Sequence, residues 1–171
     1  MLVGDGGLGL LCRPYLLGLL GGRAGRSIYR SGARRDTAGA FLYGGRAIHA
    51  VGAKVVFVDC DERFQINVNK IENEITKKTK AIVPVHWGGA SPEINKIVKI
   101  AKKYKIYIVE DACMGIGALV NKRSPGTFGN VNAFSMHPLK SLNVMGDGGI
   151  VATNNKRIAK WITKYRNHGM I

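Results

Sequence analysis

Three short apolar runs, each closing on a polar or acidic residue and separated from one another by helix-like stretches, constrain this chain more than any other feature. They are Lys54-Val55-Val56-Phe57-Val58-Asp59, Ala81-Ile82-Val83-Pro84-Val85-His86, and Ile106-Tyr107-Ile108-Val109 followed by Glu110-Asp111. β-Branched residues crowded into so few positions suit strands buried on both faces, the mark of a parallel sheet. Pro84 removes a ladder donor, which predicts a strand end or a sheet edge at that point.

Helical spacing fills the gaps between these runs. Residues Asn69–Lys77 place Ile71 and Ile75 one turn apart and set Glu74 to meet Lys78. In the stretch 92–104, Ile94, Ile97, Val98, Ala101 and Tyr104 share one face and Lys96, Lys99, Lys102 and Lys103 the other. Ser91 is the expected cap, with Pro92 in the first turn. Further strands are expected at Asn132–Ser135 and Gly149–Thr153, and a closing helix at about Lys156–Arg166. This alternation implies right-handed βαβ units and therefore an α/β fold, a mainly parallel sheet covered by helices.

Composition divides the chain near residue 46. Residues 1–46 hold 12 Gly and seven Arg with no Lys or Asn, whereas the remainder holds 15 Lys, four Arg and 11 Asn. The first segment is read as a leader of separate character: a targeting segment, a disordered arm, or residues joined by a reading-frame error. Its apolar stretch Leu8–Leu20 is interrupted by Arg13-Pro14, too short to span a bilayer. Gly4-x-Gly6-x-x-Gly9 lacks the preceding strand that a dinucleotide fingerprint needs. The net charge of +15 raises the question of nucleic acid. The lysines of 92–104, however, form the solvent face of an amphipathic helix, and no aromatic–basic interleaving accompanies them. No nucleic-acid or membrane partner is expected. Cys12, Cys60 and Cys113 are odd in number and lack metal-site spacing, so neither a disulfide framework nor a metal is expected, and the location is read as cytoplasmic.

Ligands of open parallel sheets bind beyond the strand carboxyl ends. Two features fall there: Glu110-Asp111-Ala112, and Phe134-Ser135-Met136-His137-Pro138-Leu139-Lys140 followed by Gly146-Asp147-Gly148-Gly149. A lysine beside Gly-rich turns, with a carboxylate at the neighbouring strand end, suits Schiff-base chemistry, because a pyridine nitrogen needs a carboxylate to stay protonated. On spacing alone, a surface lysine and a strand-end acid remain open alternatives.

The residues themselves carry a resemblance. Val51 through Asp59, Pro84-Val85-His86, Val109-Glu110-Asp111-Ala112, Phe134 through Lys140, Gly146 through Thr153 and Arg166-Asn167-His168-Gly169 resemble, in order and separation, the DegT-type nucleotide-sugar aminotransferases. These are pyridoxal-phosphate (PLP) enzymes of fold type I. The likeness runs from about Ala47 to Ile171 and implies a partial PLP-binding large domain at 47–171, without the small C-terminal domain, behind the 1–46 leader. It implies that Lys140 forms the Schiff base and carries the proton of transamination, that Asp111 pairs with the pyridinium nitrogen, and that Ser135 contacts the phosphate. Met114 stands where many members place Gln or His beside the ring. Dehydratase-like members carry His at the lysine position, so Lys140 favours an aminotransferase. Phe41 and Tyr43 lie near where the ring-stacking aromatic would fall.

His86 and His137 are weaker candidates for substrate contact, His86 being otherwise a half-buried strand-end histidine. The implied reaction moves an amino group, from glutamate, onto a nucleotide-linked keto sugar, in a homodimer. Two alternatives stand beside it: a catalytically inactive remnant or interaction module of the same fold, and a basic nucleic-acid-binding protein.

Overall fold

The computed structural model describes residues 26–30 as main chain, 48, 52–146 and 148–166. Gly4 through Gly9, Phe41, Tyr43, Asp147 and Asn167 through Gly169 lie outside the described residues. The chain order is β1 (Arg26–Arg30), β2 (Lys54–Val58), α1 (Val68–Glu74), β3 (Thr79–Val83), α2 (Ile94–Tyr104), β4 (Tyr107–Asp111), β5 (Val131–Ser135), β6 (Gly149–Ala152) and α3 (Lys156–Arg166). The strands form one sheet in the order β2-β1-β3-β4-β5-β6. All pairings are parallel except β5 with β6.

From the sequence no strand is expected before Lys54. The structure nonetheless seats Arg26–Arg30, inside the segment read as a leader, between β2 and β3. A ladder is made by main-chain groups, so a short segment can join it without the apolar run that pattern reading looks for. β3 is consequently central rather than an edge, and it stops at Val83, one residue before Pro84, as the missing N–H requires.

Side chains alternate across the central strands and build two cores. Ile82 and Ile108 face one way, against Ile94, Ile97 and Ile100 of α2 and Ile71 of α1. Val83 and Val109 face the other, against Ile48, Val85 and Ala133. At the far end Val131 and Val151 receive Ile162 of α3.

The helices are shorter than their apolar patterns. α1 is capped by Asn67, whose side chain accepts the Asn69 N–H, and it ends at Glu74, which leaves Lys78 outside the helix. α2 starts at Ile94 with no side-chain cap, so the expected Ser91 cap is not made. Tyr104, expected on the buried face, is exposed and donates its hydroxyl to Glu72 at 2.7 Å. Lys105 ends α2 in the left-handed region (φ 54°), its N–H reaching the Ala101 and Lys102 carbonyls.

Ile97 is fully buried between α2 and the sheet. Ile97→Ala is expected to cost about 2–5 kcal/mol through lost transfer energy and the cavity left behind, read from the shift in urea midpoint. A shift worth less than about 1 kcal/mol would mean that α2 is not docked on this sheet.

Candidate active site

The carboxyl ends of β3, β4 and β5 lie side by side, and main-chain bonds past the strands hold them in register. Val85 bridges Asp111 in parallel fashion. The Asp111 N–H donates to the Pro84 carbonyl and the His86 N–H to the Asp111 carbonyl, both at 2.9 Å. Ala112 donates to Ala133 at 2.9 Å. Asp111 and Ser135 therefore end adjacent strands at fixed relative height.

Asp111 is buried, and its carboxylate accepts the Cys113 amide at 3.2 Å. Burial pushes its pKa above the ordinary carboxylate range. The Cys113 amide and thiol and, more weakly, His86 and Lys140 offset part of that push.

Ser135 is buried, and its hydroxyl oxygen accepts the His137 N–H at 3.3 Å; among the described residues it makes no donated bond. Lys140 is half-buried on the loop after β5. That loop is pinned by Lys140 N–H to the His137 carbonyl (2.8 Å), Val144 N–H to Met136 (3.0 Å) and Met136 N–H to Gly148 (2.8 Å). Gly148 has no room for a side chain, since a Cβ there would stand 2.7 Å from Val144 Cγ2.

Met114 is partly exposed on the turn after Asp111. Its carbonyl would lie 3.2 Å from a Cβ at Gly89, so the Trp87-Gly88-Gly89 turn packs on this loop; Gly88 and Gly89 have φ of 63° and 81°. His137 is exposed, and its Nδ1 accepts the Leu139 N–H at 3.2 Å, a contact within its own turn.

His86 is fully rather than half buried. Its Nδ1 is 2.7 Å from Ser91 Oγ and its Nε2 2.8 Å from Glu110 Oε2, so the ring offers neither nitrogen to a substrate. Glu110 is equally closed to solvent and also accepts the N–H groups of Gly126, Phe128 and Gly129. Its role is not evident from composition. The available signal is strand periodicity, by which neighbouring residues face opposite ways and only one of Glu110 and Asp111 can address a ligand. Among the described residues no group of three or more His, Cys, Asp or Glu could hold a metal, and no helix is long and apolar enough to cross a membrane.

A family model described as the DegT/DnrJ/EryC1/StrS aminotransferase family matches residues 37–171. The chain belongs to this family. The match begins ahead of Ala47, within the segment set apart as a leader. One member, the UDP-N-acetyl-3-dehydro-alpha-D-glucosamine 3-aminotransferase of Acidithiobacillus ferrooxidans, is 39% identical over 130 residues, 75% of this chain and 35% of that protein. Bacillus subtilis NtdA, solved with bound cofactor PMP, superposes with a TM-score of 0.80 at 30% identity, covering 96% of this chain and 35% of its own. S. venezuelae DesV, solved with a ketimine intermediate, gives 0.82 at 30% identity, covering 99% and 44%. The α/β fold with its mainly parallel sheet is that of these aminotransferases. The chain spans about a third of the length of the curated relatives it matches.

The buried carboxylate makes a pH test direct. Between the ordinary carboxylate pKa and the raised pKa of Asp111, the folded state binds the proton that the unfolded state has released. Stability of the cofactor-free chain therefore falls as pH rises through that window and stays lower above it. Asp111→Asn is expected to raise the thermal midpoint at neutral pH and to flatten this slope. An unchanged slope would show that Asp111 is not the group responsible.

Proposed function

We propose that this chain is part of the cofactor-binding domain of a PLP-dependent enzyme that transfers an amino group, from glutamate, to a nucleotide-linked keto sugar. The observation that carries the reading is the buried Asp111 carboxylate at the end of β4, with buried Ser135 ending the neighbouring β5 and Lys140 half-buried on the loop that follows. Family membership supports it, as do relatives named for amination of UDP- and dTDP-linked sugars.

The residues fit the cofactor on chemical grounds. Asp111 is a carboxylate whose ionised form is only partly compensated inside the protein, and a protonated ring nitrogen would complete it. Ser135 keeps a hydroxyl proton to donate to a phosphate oxygen. Lys140 carries the amine that a carbonyl carbon requires, on a loop tied at both ends. When bound, PLP supplies an electron sink for the pair released from the carbon that loses a proton.

The work of the chain's own residues follows. Asp111 holds positive charge at the ring nitrogen in a water-poor place, where its field is strong. Lys140 Nζ, half-buried on the loop after β5, takes and returns the proton. Met114 packs an apolar face where a polar contact is common in relatives.

A homodimer belongs to the same proposal. Leu139, Leu142 and Met145 stand exposed around Lys140, an apolar rim that a second copy would cover. Cytoplasmic location belongs to it as well.

Incubation with PLP followed by borohydride reduction is expected to leave a pyridoxyl group on the peptide containing Lys140, and none in Lys140→Ala. Failure of the parent chain to acquire it would sink the cofactor reading and favour a remnant that keeps the fold alone.

A further inference from the structure

We propose that His86 and Glu110 form a buried positioning pair that sets the Asp111 carboxylate at the depth the cofactor needs. This rests on the function proposed above.

Glu110 precedes Asp111 on β4, so its side chain leaves the opposite face of the strand and cannot reach the same ligand. It is nevertheless completely closed to solvent. An uncompensated carboxylate there would cost several kcal/mol. Compensation comes from the Gly126 N–H to Oε2 (2.8 Å), the Phe128 N–H to Oε1 (2.6 Å), the Gly129 N–H to Oε1, and His86 Nε2 to Oε2 (2.8 Å). The carboxylate oxygens accept the three N–H groups and are engaged by His86 Nε2, while Nδ1 is engaged by the Ser91 hydroxyl. Every hydrogen-bonding position on the imidazole is then used.

The pair reaches the proposed site from two sides. His86 holds the peptide of Asp111 through its own N–H while its ring holds the preceding side chain. Glu110 in turn holds the turn containing Gly126 (φ 80°), which abuts the ring tip of Phe134; a Cβ there would come 2.0 Å from Phe134 Cζ. Phe134 directly precedes Ser135. One carboxylate thus links the strand that ends in Asp111 to the strand that ends in Ser135. A displacement of about 1 Å in such a support is enough to spoil a binding geometry.

Side chains of different length separate the two ring nitrogens. In His86→Gln the amide stands near the place of Nε2 and keeps the Glu110 bond. In His86→Asn it stands near Nδ1, keeps Ser91 and abandons Glu110. Affinity of the full chain is measured for PLP and for the analogue in which ring nitrogen is replaced by C–H, alongside thermal midpoints. His86→Asn is expected to weaken PLP about tenfold while changing the analogue by less than about twofold, with His86→Gln near the parent. Equal weakening of both ligands would mean a purely structural pair and overturn the proposal.

Amide exchange in the cofactor-free chain gives an answer independent of binding. Exchange at Asp111 and Cys113 is expected to speed up in His86→Asn while Ile97 keeps its protection; equal acceleration at all three would overturn the proposal. If the parent binds neither ligand, the proposed function fails, and the exchange data alone decide the pair.

Discussion

Two adjacent carboxylates are buried at the end of one central strand, and much of the described site is arranged around that cost. Glu110 and Asp111 share a backbone environment but receive opposite treatment. Glu110 is given three main-chain N–H groups and an imidazole; Asp111 accepts the Cys113 amide and is left with a raised pKa. A saturated buried acid acts as an anchor, whereas an under-compensated one waits for a cation. Strand alternation makes the division possible, since neighbours on β4 cannot point the same way.

The sheet provides the rigid frame for this contrast. Its central strands are apolar on both faces, packed on one side by α1 and α2 and on the other by Ile48, Val85 and Ala133. Main-chain bonds extend the β3–β4 pairing beyond Val83 to His86, so Pro84 ends the strand without loosening the site. The same stiffness fixes Ser135 two residues beyond Ala133, the β5 partner of Asp111, and roots the loop that carries Lys140. Such an arrangement trades stability for a poised charge, as sites that bind a cationic group commonly do.

Several features were legible in the residues alone. The run at 106–109 announced a buried strand and the Ile94, Ile97, Ala101 spacing announced α2, whereas the run at 54–58 forms the edge strand β2 with Phe57 exposed, so it is buried on one face only. The order of short motifs from Val51 to Lys140 pointed to the family. Other features were not legible, for identifiable reasons. Arg26–Arg30 joins the sheet through main-chain pairing, which leaves little trace in apolar patterning. Ser91 looked like a helix cap because its position allowed it, yet His86 takes its hydroxyl. His86 looked like a histidine open to a substrate because no local pattern reveals a partner 24 positions away.

The sequence by itself determined the alternation of strands and helices, the parallel sheet and the candidate residues, because periodicity and β-branching act over a few neighbouring positions. Tertiary structure decided which of two consecutive acids is satisfied and which is left needing a partner. It also decided that His86 is closed on both nitrogens. Those outcomes depend on desolvation and on donors from distant loops, quantities that exist only once the chain has packed.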